Sequence, residues 1–193
     1  MSRTAQKLQT RQRILEAAGR GFRSGGFGGV GVDALAKEAG VTSGAFYVHF
    51  DSKAAAFRDA VDDGMQEVVS AISAFQRDHG KEWWPTFVRF YLGAKRQCAL
   101  PESCALQSLS PEVARADGAS RERYQSRLRN VVEAVLAGPA SKGAPTSEAA
   151  ALAALALLVG SVTLARAVPD EAFADRIAMA AVDALLPPTP RKK

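Results

Sequence analysis

The residues with the most evident chemistry lie close together, in the segment GVDALAKEAGVTSGAFYVHFDSK over 31–53. Thr42, Ser43, Gly44 and Ala45 are four small residues in a row, two of them with hydroxyls, and Tyr47, His49 and Lys53 follow. Small side chains let a backbone approach a surface closely, and a hydroxyl can donate or accept at a base edge. A phenol, an imidazole and an ammonium can hold phosphate oxygens. The chemistry this implies is recognition of a polyanion. Taken singly, each residue is ordinary, since a lone Tyr or His usually bonds within its own domain and a lone Lys is usually solvated. Their conjunction with a turn between two short helices carries the reading.

The elements that must position them are legible from periodicity. A first short helix presents Val32, Leu35, Ala36 and Ala39 inward, and Gly40 stands where a helix end needs a left-handed residue. Val41-Thr42-Ser43 makes the turn, with Thr42 or Ser43 as N-cap of the next helix, and Val41, Phe46 and Phe50 fill the underside. This is a helix-turn-helix, whose second helix turns its N-terminal residues toward base edges in the major groove. Tyr47 belongs on the DNA side, and His49 and Lys53 flank the start of the following helix, where an N-terminus and an ammonium suit an anion. Charge agrees: residues 1–53 hold eight Lys and Arg against four Asp and Glu, most of the chain's net +5.

Other motifs point less far. GFGGVG at 26–31 satisfies G-x-G-x-x-G, and Asp51 lies 20 residues after Gly31. A dinucleotide fold needs a strand before those glycines, whereas the preceding segment has helix periodicity, so they are expected to make a tight connection with Phe27 or Val30 packed inward. Cys98 and Cys104 flank Pro101 beside Lys95 and Arg96. They could form a reversible disulfide or react with electrophiles, or be inert and buried. Two Cys and two distant His do not make a zinc site, so no metal or cofactor is expected. No Ser/His/Asp, paired-carboxylate or metal constellation suggests an enzyme. In WWPTFVRFY, aromatics occupy more than one helix face, which suits a mostly apolar small-molecule pocket or an aromatic-rich core. The pocket candidates are Trp83, Trp84, Phe87, Phe90, Tyr91, Cys98, Cys104, Gln107 and Tyr124.

Across the whole chain, 193 residues with 47% apolar and 23% charged side chains suit one domain, or a small one joined to a larger one, and exclude a large multidomain enzyme. Ala, Leu, Arg and Glu recur at spacings of three and four, while alternating β-branched runs are scarce, so the fold is expected to be all-α with about nine helices. The first helix carries Leu8, Leu15, Ala18 and Phe22 on one stripe and stops at Ser24-Gly25-Gly26. The others are expected at about 32–39, 43–49, 52–75, 81–99, 104–117, 119–137, 146–167 and 170–186, with a frayed tail. The uncharged run Ala149–Ala165 is at the lower limit for a membrane span, but it is mostly Ala and small residues. Burial on two sides, against its own domain and a second copy, explains it better. Leu152, Leu155, Val159, Val162, Ile177 and Ala181 are the interface candidates. Few cysteines and an N-terminus, MSRTAQKLQTRQR, without an apolar run suggest a cytoplasmic protein with no membrane partner.

Residues 11–58, RQRILEAAGRGFRSGGFGGVGVDALAKEAGVTSGAFYVHFDSKAAAFR, resemble the DNA-binding domain of the tetracycline-repressor (TetR) family of bacterial transcriptional regulators. The resemblance implies a homodimer with an N-terminal three-helix head over 1–52 and a larger effector-binding and dimerisation body over 53–187, before a disordered tail at 188–193. It implies operator contacts by Thr42, Ser43, Gly44, Tyr47, His49 and Lys53, with Ala45 alongside. The function implied is a repressor of a pseudo-palindromic operator, released by a small, mostly apolar effector. A constitutive DNA-binding regulator with a solid body is the alternative, followed by a thiol-based sensor. Many relatives carry Ser or Thr where Gly31 stands here, so the hydroxyl cap and phosphate contact at that position are lost.

Overall fold

The computed structural model describes residues 2–186. Among them there is no strand. Eight helices have seven or more residues: α1 (Arg3–Gly29), α2 (Val32–Glu38), α3 (Ser43–His49), α4 (Lys53–His79), α5 (Trp83–Leu92), α9 (Gly118–Leu136), α10 (Glu148–Ala167) and α11 (Glu171–Leu185). Three shorter ones, α6 (Ala94–Gln97), α7 (Ala105–Ser108) and α8 (Ser110–Ala114), lie between α5 and α9. The expected helix over 81–99 is thus broken at Gly93, and the one over 104–117 is two short pieces. The tail expected to be disordered, 188–193, lies outside the described residues.

By packing, the chain forms two compact units. One contains residues 2–66 with 99–127; the other contains 67–98 with 128–186. This packing division is drawn elsewhere than the boundary expected at residue 52, because the segment carrying α7, α8 and the start of α9 groups with residues up to 66.

In the first unit, α1 is capped by Ser2, whose hydroxyl accepts from the Ala5 N–H, and buries Ile14, Leu15, Ala17, Ala18 and Phe22. Leu8, expected on the same stripe, is 65% exposed. The helix also runs past Ser24-Gly25-Gly26, with a single break at Gly26, whose φ is +68°. The Glu112 carboxylate accepts the Phe27 N–H at 2.9 Å and satisfies a donor the break would otherwise orphan. Phe22, Phe27 and Phe57 meet in a ring cluster, with Phe57 edge-on to the other two at 5.2 Å. An ionic chain then ties α1 and α9 to α4: Arg11 pairs with Asp59, Arg123 reaches Asp59 and Asp62, and Arg127 reaches Asp62. That pairing raises the Arg127 pKa above its ordinary value and keeps the guanidinium charged. Gly64 permits the α4–α7 approach, since a Cβ there would stand 2.5 Å from the Ala105 Cβ.

The second unit is centred on Trp83, Trp84, Val88, Leu92, Val131, Val135 and Leu158, all at most 2% exposed. The Trp83 indole N–H donates to the Pro139 carbonyl at 3.0 Å, over Gly138, where a Cβ would come within 2.9 Å of the ring. Ser147 and Asp170 cap α10 and α11 by accepting from the N–H groups of Ala150 and Phe173. The break at Val168-Pro169-Asp170 is therefore where periodicity placed it. Helix α10, with a mean hydropathy of 1.9, is long and apolar enough to cross a membrane. It buries Ala151, Ala154, Leu155, Leu158, Ser161, Val162 and Ala165, and 39% of its most apolar stretch is buried.

Candidate nucleic-acid interface

The helix-turn-helix is built by its caps. Gly40 has a φ of +68°, the Gly40 N–H donates to the Lys37 carbonyl at 3.1 Å, and the Val41 N–H donates to the Ala36 carbonyl at 2.9 Å. This pair of bonds closes the end of α2 in a Schellman motif, which needs a left-handed residue at that point. Thr42 is the N-cap of α3, its hydroxyl accepting from the Ala45 N–H at 3.1 Å. Ser52 starts α4 in the same way, accepting from Ala55. Gly31 caps α2 with no side-chain hydrogen bond, as expected for glycine at that place.

Helix α3 is anchored by Phe46, which is fully buried, and by Phe50 at its end. At about 100° per residue, Gly44 and Val48 lie opposite Phe46, with Ser43 and Tyr47 along one flank and Ala45 and His49 along the other. Exposure follows that order. Thr42, Gly44, Tyr47 and Val48 are exposed, Tyr47 at 55% and Val48 at 68%, while Ser43, Ala45 and His49 are more enclosed. The structure therefore brings the sequence-derived candidates Thr42, Ser43, Gly44, Ala45, Tyr47 and His49 together on one seven-residue helix and its cap. Lys53 opens α4, with its ammonium 4.7 Å from the centre of the Phe27 ring.

Two neighbours that the sequence reading did not name join these candidates. Val48 is an exposed apolar side chain on the outer face, and 100° steps counted from Phe46 are enough to find it. Asp33, in the first turn of α2, accepts a hydrogen bond from the Ser43 hydroxyl. No sequence signal marks that second contact, because it joins two helices.

Electrostatics at the end of α3 are positive. His49 Nδ1 is buried without a hydrogen-bond partner. Its pKa lies below the ordinary 6.5, first through burial and then through Lys7 and Arg11 of α1. The Arg11 guanidinium also stacks on Phe50 at 4.7 Å. Of the glycines expected to make the connection at 26–31, Gly26, Gly28 and Gly29 fall within α1, which breaks only at Gly26, and Gly31 alone lies in the connection to α2. The Glu112 carboxylate stands 3.1–3.2 Å from where a Gly26 Cβ would be, which puts an anion beside this turn.

The effector-pocket candidates divide between the units. In the second, Trp83, Trp84, Phe87 and Tyr91 are buried and Phe90 is 39% exposed. Ring contacts of 5.2–6.1 Å link them through Phe75. The Trp84 indole N–H is buried without a partner. Cys98 has its sulfur 3.0 Å from the Lys95 carbonyl and 3.4 Å from Arg166 Nη2. The first unit holds Cys104, which is buried, together with Gln107 and Tyr124, which are half-buried. The Tyr124 hydroxyl shares a 2.6 Å hydrogen bond with Ser110, and burial pushes its pKa up. Those two residues edge an open hollow of about 450 Å³ with Val113, Arg121 and Glu122.

Of the interface candidates, Leu155, Val162 and Ala181 are 3–5% exposed, so those three pack within their own unit. Leu152 is 41% exposed, and Val159 and Ile177 are half-buried. The apolar side chains that α10 and α11 leave open also include Leu157, Leu164, Phe173 and Met179. A helix apolar around most of its circumference does not show in its sequence which side faces its own core.

Residues 14–60 match the family model for bacterial regulatory proteins of the tetR family. No curated protein matches the chain in sequence. Among solved structures, a TetR-family transcriptional regulator from Agrobacterium tumefaciens is similar over 93% of this chain and 99% of its own, with 18% identity and a TM-score of 0.73. A TetR-family regulator from Cytophaga hutchinsonii covers 98% of this chain and 99% of its own, at 19% identity and a TM-score of 0.72. The reduced form of NemR from E. coli covers 95% and 99%, at 19% identity and a TM-score of 0.71. Residues 14–60 thus match the tetR family of bacterial regulatory proteins, and the all-helical fold of the chain is one that solved TetR-family regulators share.

Proposed function

We propose that the chain is a cytoplasmic, ligand-responsive transcriptional repressor that binds a pseudo-palindromic operator as a homodimer and is released by a small, mostly apolar effector. The observation that carries this reading is the outer face of α3, where Thr42, Gly44 and Tyr47 stand exposed around a helix anchored from beneath by Phe46 and Phe50. A solvated helix of seven residues gains little from an exposed tyrosine; a groove-reading helix uses its ring on sugar or a thymine methyl and its hydroxyl on phosphate. Thr42, Ser43, Gly44 and Ala45 approach the base edges, and His49 and Lys53 hold phosphates on either side of the turn into α4. Two such helices must sit about 34–36 Å apart, or a multiple of that, to read paired half-sites.

The effector acts through the body. An apolar molecule admitted among Trp84, Phe87, Phe90 and Tyr91 favours whichever dimer arrangement makes room for it. If that arrangement misplaces the two reading helices, its differential affinity releases the DNA. This chain needs no cofactor for that, and it is not an enzyme.

Binding to the DNA upstream of its own gene, measured at two salt concentrations, tests the docking. Lys53→Ala is expected to weaken binding to all sequences and to flatten the dependence of log affinity on log salt by about one unit. Tyr47→Ala is expected to weaken binding by about ten-fold. Unchanged affinity and slope in both variants would refute the docking.

A further inference from the structure

The reading end of this motif carries one anion. Asp33 stands in the first turn of α2, and the Ser43 hydroxyl, on the first residue of α3, donates to its Oδ1. No Lys or Arg among the described residues is ion-paired with it. The other side chains at this end are small, hydroxylic or apolar. A carboxylate facing a polyanion opposes binding, so its presence there calls for a compensating partner on the DNA.

We infer that Asp33, held in place by Ser43, is a specificity-determining residue that selects cytosine at one symmetrically repeated operator position. This rests on the DNA-binding reading above. Tied by Oδ1 to one hydroxyl, the carboxylate keeps Oδ2 as a free acceptor and has no proton to donate. In the major groove guanine offers only acceptors at O6 and N7, and thymine offers an acceptor at O4 beside its methyl. Both repel an acceptor. Adenine sets its N6 amino group beside the N7 lone pair, so a carboxylate gains one contact and meets one repulsion. The cytosine amino donor, at N4, is flanked on its own base by a C–H and meets an acceptor only on the partner guanine, whereas the adenine donor has acceptors on both sides. The same charge disfavours every duplex that lacks the matching amino group, because it remains near phosphates with nothing to pair with. Asp33 thereby lowers non-specific binding while sharpening the specific site.

The test is selection of bound duplexes from a randomised pool by the purified full chain, followed by affinity for the selected site and for unrelated duplex. Wild type is expected to show one dyad-related cytosine favoured over the other bases by about ten-fold. Asp33→Ala is expected to lose that preference, keep the preferences at other positions, and bind unrelated duplex more tightly than wild type. Asp33→Asn, whose amide both donates and accepts, is expected to move the preference toward adenine. Ser43→Ala keeps the charge but releases it, and is expected to blunt the cytosine preference without tightening non-specific binding. Thermal melts of the variants check that the head is folded, and Asp33→Asn, nearly isosteric, carries the test if Asp33→Ala does not fold. An unaltered base profile in Asp33→Ala or Asp33→Asn overturns the assignment alone. A wild type that binds all duplexes equally overturns the regulator reading as well.

Discussion

His49, the last residue of α3, is the titratable group at the end of that helix. Its pKa is depressed in the free protein by burial and by Lys7 and Arg11, so the imidazole is neutral under conditions where an exposed histidine would begin to charge. Two consequences have opposite signs. Between the depressed value and 6.5 the unfolded chain binds more protons than the folded one. The stability this residue contributes is therefore intact above the unfolded value and is lost as pH falls toward the folded one. A phosphate brought beside the ring does the reverse and favours the imidazolium. On the docking proposed above, DNA binding takes up a proton, and affinity should rise as pH falls from about 8 to about 6 while the protein itself becomes less stable. Titration at constant ionic strength should show wild type binding several-fold more tightly at the lower pH, and His49→Gln should remove most of that dependence. The chain has two histidines, and His79 belongs to the other packing unit, so it is a poor source of the effect. If His49→Gln keeps the full pH dependence, His49 does not touch phosphate.

At the scale of elements, the turn between α2 and α3 rests on one backbone conformation. Gly40→Ala forces an L side chain into the left-handed region at a cost of about 1–2 kcal/mol. Its Cβ would meet nothing closer than Arg13 Nη1 at 3.7 Å, so the cost is conformational and not steric. Thermal melting should show that loss, whereas Gly29→Ala, with open space around the new Cβ, should leave stability within about 0.5 kcal/mol. Equal effects at both positions would remove the special role of Gly40. The same contrast separates what a local stretch of sequence makes legible from what it hides. Helices α2, α3, α10 and α11 and their caps are set by residues within a few positions of each other, so periodicity and capping chemistry locate them. The extension of α1 beyond Gly26 depends on Glu112, 85 residues away from Phe27, and no local pattern announces it. The site divides along the same line. Thr42, Gly44 and Tyr47 follow from the helical wheel around Phe46. Asp33 enters only because α2 and α3 pack so that Ser43 reaches it.

For the whole molecule, the homodimer proposed above would turn on the apolar side chains that α10 and α11 leave uncovered. Leu152, Leu157, Leu164, Phe173 and Met179 are between 36% and 64% exposed on two helices already packed against their own core. Covered by the same side chains of a second copy, they would contribute roughly 1 kcal/mol each, about 10 kcal/mol for both copies. That is comparable with the ~4–15 kcal/mol that association costs in lost freedom, so the dimer should be sensitive to a few of these contacts. Introducing charge at the two most exposed of them, with Leu164→Glu and Met179→Glu together, should give a folded monomer by sedimentation and an unchanged helical signal. A single head has half the phosphate contacts of a pair. The double variant should therefore bind an isolated half-site as well as wild type does, lose the advantage of the full operator, and show about half the salt slope on it. Loss of half-site binding as well would mean that the substitutions damage the fold. A double variant that still sediments as a dimer would mean that copies meet through another surface, and a monomeric wild type would leave the two-headed reading of the operator without a basis.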